Sequence, residues 1–368
     1  MRLFDLSIRE VSSSLARPVG SPEAPEQRRA GLLLRLRDAE GNVGLGEASP
    51  LPGFSQDSLA SCRTALAGLD TRDLADCFDD PGSESVLAAL ARARRLLDPG
   101  LPAAAFALET ALLDLVCRRE RRSPFELLGR PALPRVELNA VLDATLPEAR
   151  ERALDLIGQG YTTLKLKFGS RWEPALDTLT HLRQRGGIQL RADANRKLGA
   201  EALECALPRM VALGLEFLEE PCAPELWPSL PATRPPIALD ETLGSASSEQ
   251  LPALLRQAHA DVIVLKPMAL GGFSECLRLA DAAHTTGCAV VVTHLFDGPV
   301  ALAAASALAC VVQSPRLAAG LAPHAGLGAW PRAPQACVPP PSGLGRGIDP
   351  GSFCTGISPI DYWQELGD

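Results

Sequence analysis

From residue 136 onward the chain alternates short apolar runs with amphipathic segments, and this alternation narrows the choice of fold more than any other feature. The runs cover 136–141, 163–168, 189–193, 216–219, 237–240, 261–266 and 289–293, with a weaker eighth at 316–320. Amphipathic stretches such as 147–157 and 274–285 lie between them. Strands separated by helices form a parallel sheet, because a parallel pair needs a crossover long enough to hold a helix. Seven or eight units at roughly 25-residue spacing predict an α/β fold of the closed (β/α), TIM-like barrel kind.

The first third of the chain reads differently. Residues 2–11 and 31–47 have strand character, with a turn at Asp38-Ala39-Glu40-Gly41-Asn42. Between them, 16–29 is rich in Pro, Glu and Arg and reads as a mobile loop. A second loop, Gly46 to Gln56, carries two prolines and an exposed-looking Phe54, as loops that cover ligands often do. Helical patterns follow at 57–69, 84–97 and 102–121, the last rich in Ala and Leu and expected to be largely buried. Pro131 and Pro134 mark a domain boundary, so the expected division is 1–134, a barrel over 135–330, and a Pro- and Gly-rich tail over 331–368 that packs back on the N-terminal part.

Composition excludes several classes. The formal net charge of -8 speaks against a nucleic-acid partner. No apolar run reaches the length of a membrane span, and the first residues show no signal-peptide core. The ten cysteines form no C-x-x-C pair and no zinc spacing, which suits reduced, buried thiols in a cytoplasmic protein. The oligomeric state is left open.

Charged residues recur at the C-terminal end of the runs, where barrel active sites lie. Lys165 and Lys167 end the second run, Asp193 the third, Glu219 the fourth, Asp240 the fifth and Lys266 the sixth. Taken alone, the two lysines fit a solvated edge strand as well as a site. Five successive runs with the same ending favour the site. Three carboxylates at close range raise one another's pKa, and a divalent cation that prefers hard oxygen relieves this. No His or Cys joins the set, which makes Mg²⁺ the expected ion. Lysines on both sides of such a centre suit proton abstraction next to a carboxylate. The base must then come down from about 10.4 to about 7–8, roughly 3 to 4 kcal/mol. Glu220, Glu241 and Asn195 adjoin these residues and read as supporting groups by strand alternation, and Arg191 as an interior counter-charge. His294 follows the seventh run as a second acid/base candidate or a plain polar contact.

Lys165-Leu166-Lys167, Asp193-Ala194-Asn195, Glu219-Glu220-Pro221, Asp240-Glu241 and Lys266-Pro267 resemble the enolase superfamily, muconate-lactonizing subgroup. That resemblance implies a (β/α)7β-type barrel with an α+β capping domain. Within it, Gly46 to Gln56, Arg196 and Cys222 resemble the o-succinylbenzoate synthases of menaquinone biosynthesis. The resemblance implies a small-molecule carboxylate substrate and syn-dehydration of 2-succinyl-6-hydroxy-2,4-cyclohexadiene-1-carboxylate to 2-succinylbenzoate. It implies Lys167 as acid/base, Lys266 as electrostatic stabiliser on the opposite face, Lys165 as support, and Asp193, Glu219 and Asp240 as Mg²⁺ ligands. Phe54, Ser55, Asn195, Thr293, His294 and Asp297 are the expected substrate contacts. Where these synthases carry a Ser-rich stretch ending in Glu-Ser, this chain has Thr293-His294-Leu295-Phe296-Asp297-Gly298. The competing expectation inside the superfamily is a dipeptide or N-acylamino acid epimerase or racemase. Outside it stand a non-catalytic ligand-binding barrel and a phosphate-handling one.

Overall fold

The computed structural model describes residues 3–21, 24–78, 85–168, 171–247, 249–322 and 336–337. An antiparallel sheet opens the chain in the order β1 (Leu3–Ser21), β2 (Ala24–Asp38), β3 (Val43–Ala48). The expected turn joins β2 to β3, and the Asp38 carboxylate holds it by accepting from the backbone N–H groups of Glu40 and Asn42. The loop expected at 16–29 is a correction. Those described residues belong to the β1–β2 hairpin, which pairs Ser12 with Ala30 and Val19 with Glu26. The register shifts between Ser14 and Val19. A bulge of that kind breaks the two-residue alternation by which a strand is recognised in sequence.

Among the described residues, five helices complete the cap: α1 (Leu59–Ala67), α2 (Thr71–Asp76), α3 (Val86–Arg94), α4 (Pro102–Glu120) and α5 (Pro124–Leu128). As expected, α4 is buried over most of its length. It lies directly on β3, because Gly44 and Gly46 leave room for it. A Cβ on Gly46 would overlap the Ala107 carbonyl oxygen, and one on Gly44 would overlap that of Ala111.

The barrel follows. After the short β4 (Val136–Glu137) come β5 (Ala140–Asp143), α6 (Ala149–Gly158), β6 (Thr163–Lys167), α7 (Trp172–Arg185), β7 (Gln189–Asp193) and α8 (Ala200–Ala212). Then come β8 (Phe217–Glu219), β9 (Ile237–Leu239), α9 (Leu251–Gln257), β10 (Val262–Leu265), α10 (Pro267–Leu270) and α11 (Phe273–Thr285). β11 (Ala289–Val292) and α12 (Pro299–Val312) close the series. Strands β5 to β11 form one parallel sheet in sequence order. The weak eighth run shrinks to a bridge, in which Ala319 pairs with Leu138 and Gly320 with Thr293, and this joins the two edges of the sheet. Closure removes both edges of the barrel sheet.

Alternation sorts the strand residues into two populations. Leu164, Leu166, Leu190, Leu218 and Leu239 face the helices and are fully buried in the main core. The opposite set fills the barrel interior. Phe217, Ala238, Val262, Val264 and Val291 form a separate apolar cluster there. Of the tail at 331–368, only Ala336–Cys337 is described; as β12 it pairs with β4. The expected packing of the rest lies outside the described residues.

Candidate active site

Strand register brings the charged residues level. Lys167 pairs with Asp193, and Asp193 with Glu219, across β6, β7 and β8. Asp240 and Lys266 directly follow β9 and β10. All six residues expected at the centre meet at this end of the barrel. Lys165 Nζ donates to both Glu219 oxygens at 2.8 Å and lies 3.1 Å from Asp193 Oδ2. Lys167 Nζ approaches the same Asp193 oxygen at 3.3 Å, and Lys266 pairs with Asp240. Lys165 and Lys266 keep only 10% and 13% of their side chains exposed, whereas Lys167 keeps 38%. Lys167 is therefore the lysine that a molecule in the mouth meets first.

The electrostatics follow from burying so many charges together. Burial alone would lower the Lys165 pKa, but Asp193, Glu219 and Asp240 overcome it and hold the ammonium above its ordinary range. Lys266 behaves alike, burial being outweighed by Asp240, Glu241 and Glu219. Burial pushes Asp193 up, and Lys165, Lys167 and Lys266 more than offset it, leaving Asp193 well below the usual carboxylate range. Glu219 goes the other way, pushed up by burial and then by Asp193. Like charges this close cannot all ionise freely.

Among the described residues, no three acidic, histidine or cysteine side chains form a ready-made metal cage. Each central carboxylate instead holds a lysine ammonium. The donor set nevertheless fits a hard divalent cation. Its carboxylate oxygens come from three neighbouring strand ends, and fully buried Asp193 Oδ2 meets only the Lys165 and Lys167 ammoniums, at 3.1 and 3.3 Å. Hard carboxylate oxygens gathered this closely are the donors such a cation prefers, and its charge would offset the repulsion that Asp193 exerts on Glu219.

The supporting residues have defined places. Asn195 donates from its backbone to Asp193 Oδ1 and from its side chain to Glu241 Oε1, tying two strand ends together. Burial and then Asp240 raise the Glu241 carboxyl, whose Oε2 has no hydrogen bond. Arg191 lies beneath the site with no exposure. It donates to Glu216, Asn139 and the Ala318 carbonyl, and its guanidinium stacks 4.5 Å from the Phe217 ring centre. That is the interior counter-charge expected.

Expected substrate contacts fall into two groups. Phe54 is exposed on the cap loop, while the Ser55 hydroxyl accepts from the Leu51 N–H. Gln56 donates to the Gly244 carbonyl, bridging that loop to the barrel. After β11, the Thr293 hydroxyl donates to the Gly320 carbonyl, and His294 Nε2 lies 3.0 Å from the Ala322 carbonyl. Asp297 is fully buried, and burial pushes its carboxyl up to about 7 despite nearby Arg29.

Sequence reading missed the residues that dock the cap. Glu47, at the end of β3, accepts from the N–H groups of Gly298, Val300 and Ala301 at the start of α12. Glu109 of α4 accepts from the Ser274 N–H and hydroxyl at the start of α11. A carboxylate suits a helix N-terminus, where unpaired N–H groups and the dipole favour negative charge. Arg29 donates to carbonyls of Ser49, Pro50, Leu295 and Phe296, clamping the cap to the loop after β11. No local motif marks any of these three. Asp143 was also missed, although the strand-end rule would have found it. It pairs with Lys167 in register, and Val141 with Lys165, so both share the lysines' face of the barrel.

Residues 148–351 match the family described as Enolase C-terminal domain-like. The chain is 31% identical to the L-Lys-D/L-Arg epimerase of Methylococcus capsulatus over 332 residues, covering 84% of this chain and 88% of that protein. It is 27% identical to the o-succinylbenzoate synthase of Desulfotalea psychrophila over 328 residues, covering 82% and 88%. Among solved structures, the dipeptide epimerase of Methylococcus capsulatus complexed with Mg and the dipeptide L-Arg-D-Lys superposes with a TM-score of 0.77 at 26% identity. It covers 94% of this chain and 99% of that one.

Proposed function

The chain belongs to the enolase superfamily, and on that premise we propose that it is an o-succinylbenzoate synthase, removing a proton next to a carboxylate and then expelling a hydroxyl. The observation that carries the reading is the central arrangement of three carboxylates on consecutive strand ends between two lysines. Lys167 ends β6 and Lys266 follows β10, four steps along the sheet. In a barrel of eight positions that places them on opposite walls. The loop Gly46 to Gln56, held over the mouth by Gln56, supports the dehydration in particular through its likeness to such synthases.

Asp193, Glu219 and Asp240 hold the divalent cation in this reading. When bound, the cation would supply Lewis-acid charge to the substrate carboxylate. Lys167 takes the proton from the carbon beside that carboxylate and returns it to the departing hydroxyl on the same face. Lys266 keeps its proton, and its charge offsets the negative charge that builds on the carboxylate oxygens. Lys165 keeps Glu219 and Asp193 in place from below.

A second reading, epimerisation of a dipeptide or N-acylamino acid, is favoured by the likeness to the Methylococcus epimerase over most of both chains. There Lys266 would act as a second base on the opposite face. An anaerobic assay with the cyclohexadiene substrate, run beside a racemisation assay with N-succinylamino acids and cationic dipeptides, separates the two. Appearance of the aromatic ultraviolet band supports dehydration; exchange of the α-proton without it, on an amino-acid substrate only, overturns it. EDTA should abolish either activity and Mg²⁺ restore it, whereas full turnover in the chelator removes the cation from the reading.

A further inference from the structure

Four non-glycine residues around the barrel mouth hold left-handed backbone: Asn195 at φ 45°, Arg196 at 61°, Glu220 at 39° and Phe296 at 55°. Such conformations cost about 1–3 kcal/mol each and persist only where the surroundings enforce them. Three of the four lie in the turns directly after Asp193 and Glu219. One side chain connects those turns to Asp240. Glu220 is fully buried, and its Oε1 accepts from the backbone N–H groups of Asp240 at 2.8 Å and Thr242 at 2.9 Å. Its Oε2 accepts from the Thr242 hydroxyl at 2.9 Å and from Arg196 Nε at 3.0 Å. Arg196 also donates its backbone N–H to the Glu220 carbonyl at 2.7 Å and a guanidinium N–H to the Thr242 hydroxyl at 2.7 Å.

We propose that Glu220 is a positioning residue whose carboxylate sets Asp240 and the Asp193 turn relative to Glu219, and so sets the affinity of the site for a divalent cation. The proposal rests on the reading that these three acids hold the cation, and it is independent of which reaction follows. Its chemical logic lies in the count of donors. All four groups facing Glu220 donate, and only a carboxylate offers two acceptor oxygens to meet them. Glutamine has one acceptor and an amide that must point donor to donor, either at Arg196 or at the Asp240 backbone. Because the backbone of Asp240 is held directly, the error passes to the ligand carried by the same residue. Groups that orient metal ligands typically account for 10–100-fold in metal affinity.

The test is calorimetric titration of the full, EDTA-treated chain with Mg²⁺. Glu220→Gln should weaken Mg²⁺ binding by at least about tenfold. Thr242→Val, nearly isosteric, strips one hydrogen bond from Glu220 and should weaken it by about threefold. Glu109→Gln, at an equally buried carboxylate that bonds Ser274 and none of the three acids or their turns, should leave the affinity unchanged. The proposal is overturned if Glu220→Gln folds and binds Mg²⁺ like the native chain, or if Glu109→Gln weakens binding as much as Glu220→Gln does. Should Glu220→Gln fail to fold, Thr242→Val decides alone: native affinity there also overturns it. A native chain that binds no Mg²⁺ overturns the cation reading itself, which is a separate outcome.

Discussion

Lys165 and Lys167 are two residues apart on one strand and do different work because of depth. Lys165 reaches the two acids from below and is nearly buried, while Lys167 stands at the mouth. Lys167→Ala should reduce turnover by about 10²–10⁴-fold, the usual range for losing a general acid/base. Lys266→Ala should be similarly impaired, yet solvent deuterium should still enter the substrate at the α-carbon, which mass spectrometry reads. Lys165→Met leaves Glu219 and Asp193 buried without their ammonium. Removing one partner of a buried pair costs about 3–5 kcal/mol, so the variant should melt well below the native chain in EDTA. Mg²⁺ should raise its melting temperature more than it raises the native one.

At the scale of elements, β3 against α4 is the contact on which the cap's shape depends. Gly44 and Gly46 stand on one face of β3, two residues apart, and α4 meets them with Ala107 and Ala111, one turn apart. The strand period of two and the helix period near four coincide there only because both surfaces are small. Gly46→Ala should destabilise the fold by about 1–3 kcal/mol, the range for overpacking, as urea unfolding would show. The larger lesson of β3 is what it carries. Its last residues include Glu47, which caps α12, so displacing the strand should also loosen the cap from the barrel.

Over the whole molecule, cap and barrel are joined through buried charge. Burial pushes Glu109 from its ordinary 4.5 up to about 7, with Ser274 and Arg94 working against the rise. Burial likewise lifts Asp297 from 3.8 to about 7. Both carboxyls bind a proton more tightly folded than unfolded. Stability is therefore unpenalised below their unfolded values and falls as pH climbs toward 7, by about 3–4 kcal/mol per group. The melting temperature should accordingly fall between about pH 4 and 7, and Glu109→Gln should flatten that dependence. A steeper fall in the variant would show that the carboxyl is ionised in the fold.

The barrel and its centre were legible in the sequence because both follow from local periodicity. Strand residues alternate by two, so a charged residue ending each apolar run must share the interior face, and Asp193, Glu219, Asp240 and Lys266 meet for that reason alone. The 16–29 hairpin was hidden because a register shift breaks the alternation that marks a strand. Arg29, Glu47 and Glu109 were hidden for a different reason. Their partners on the barrel side lie 165 to 267 residues away, and nothing in the flanking residues encodes a helix N-terminus or a loop carbonyl waiting on another domain. The sequence alone thus determined which side chains line the barrel's end. Tertiary structure decided how deep each one sits, what Glu220 holds in place, and how the cap is fastened over them, since burial and long-range pairing exist only once the chain has closed on itself.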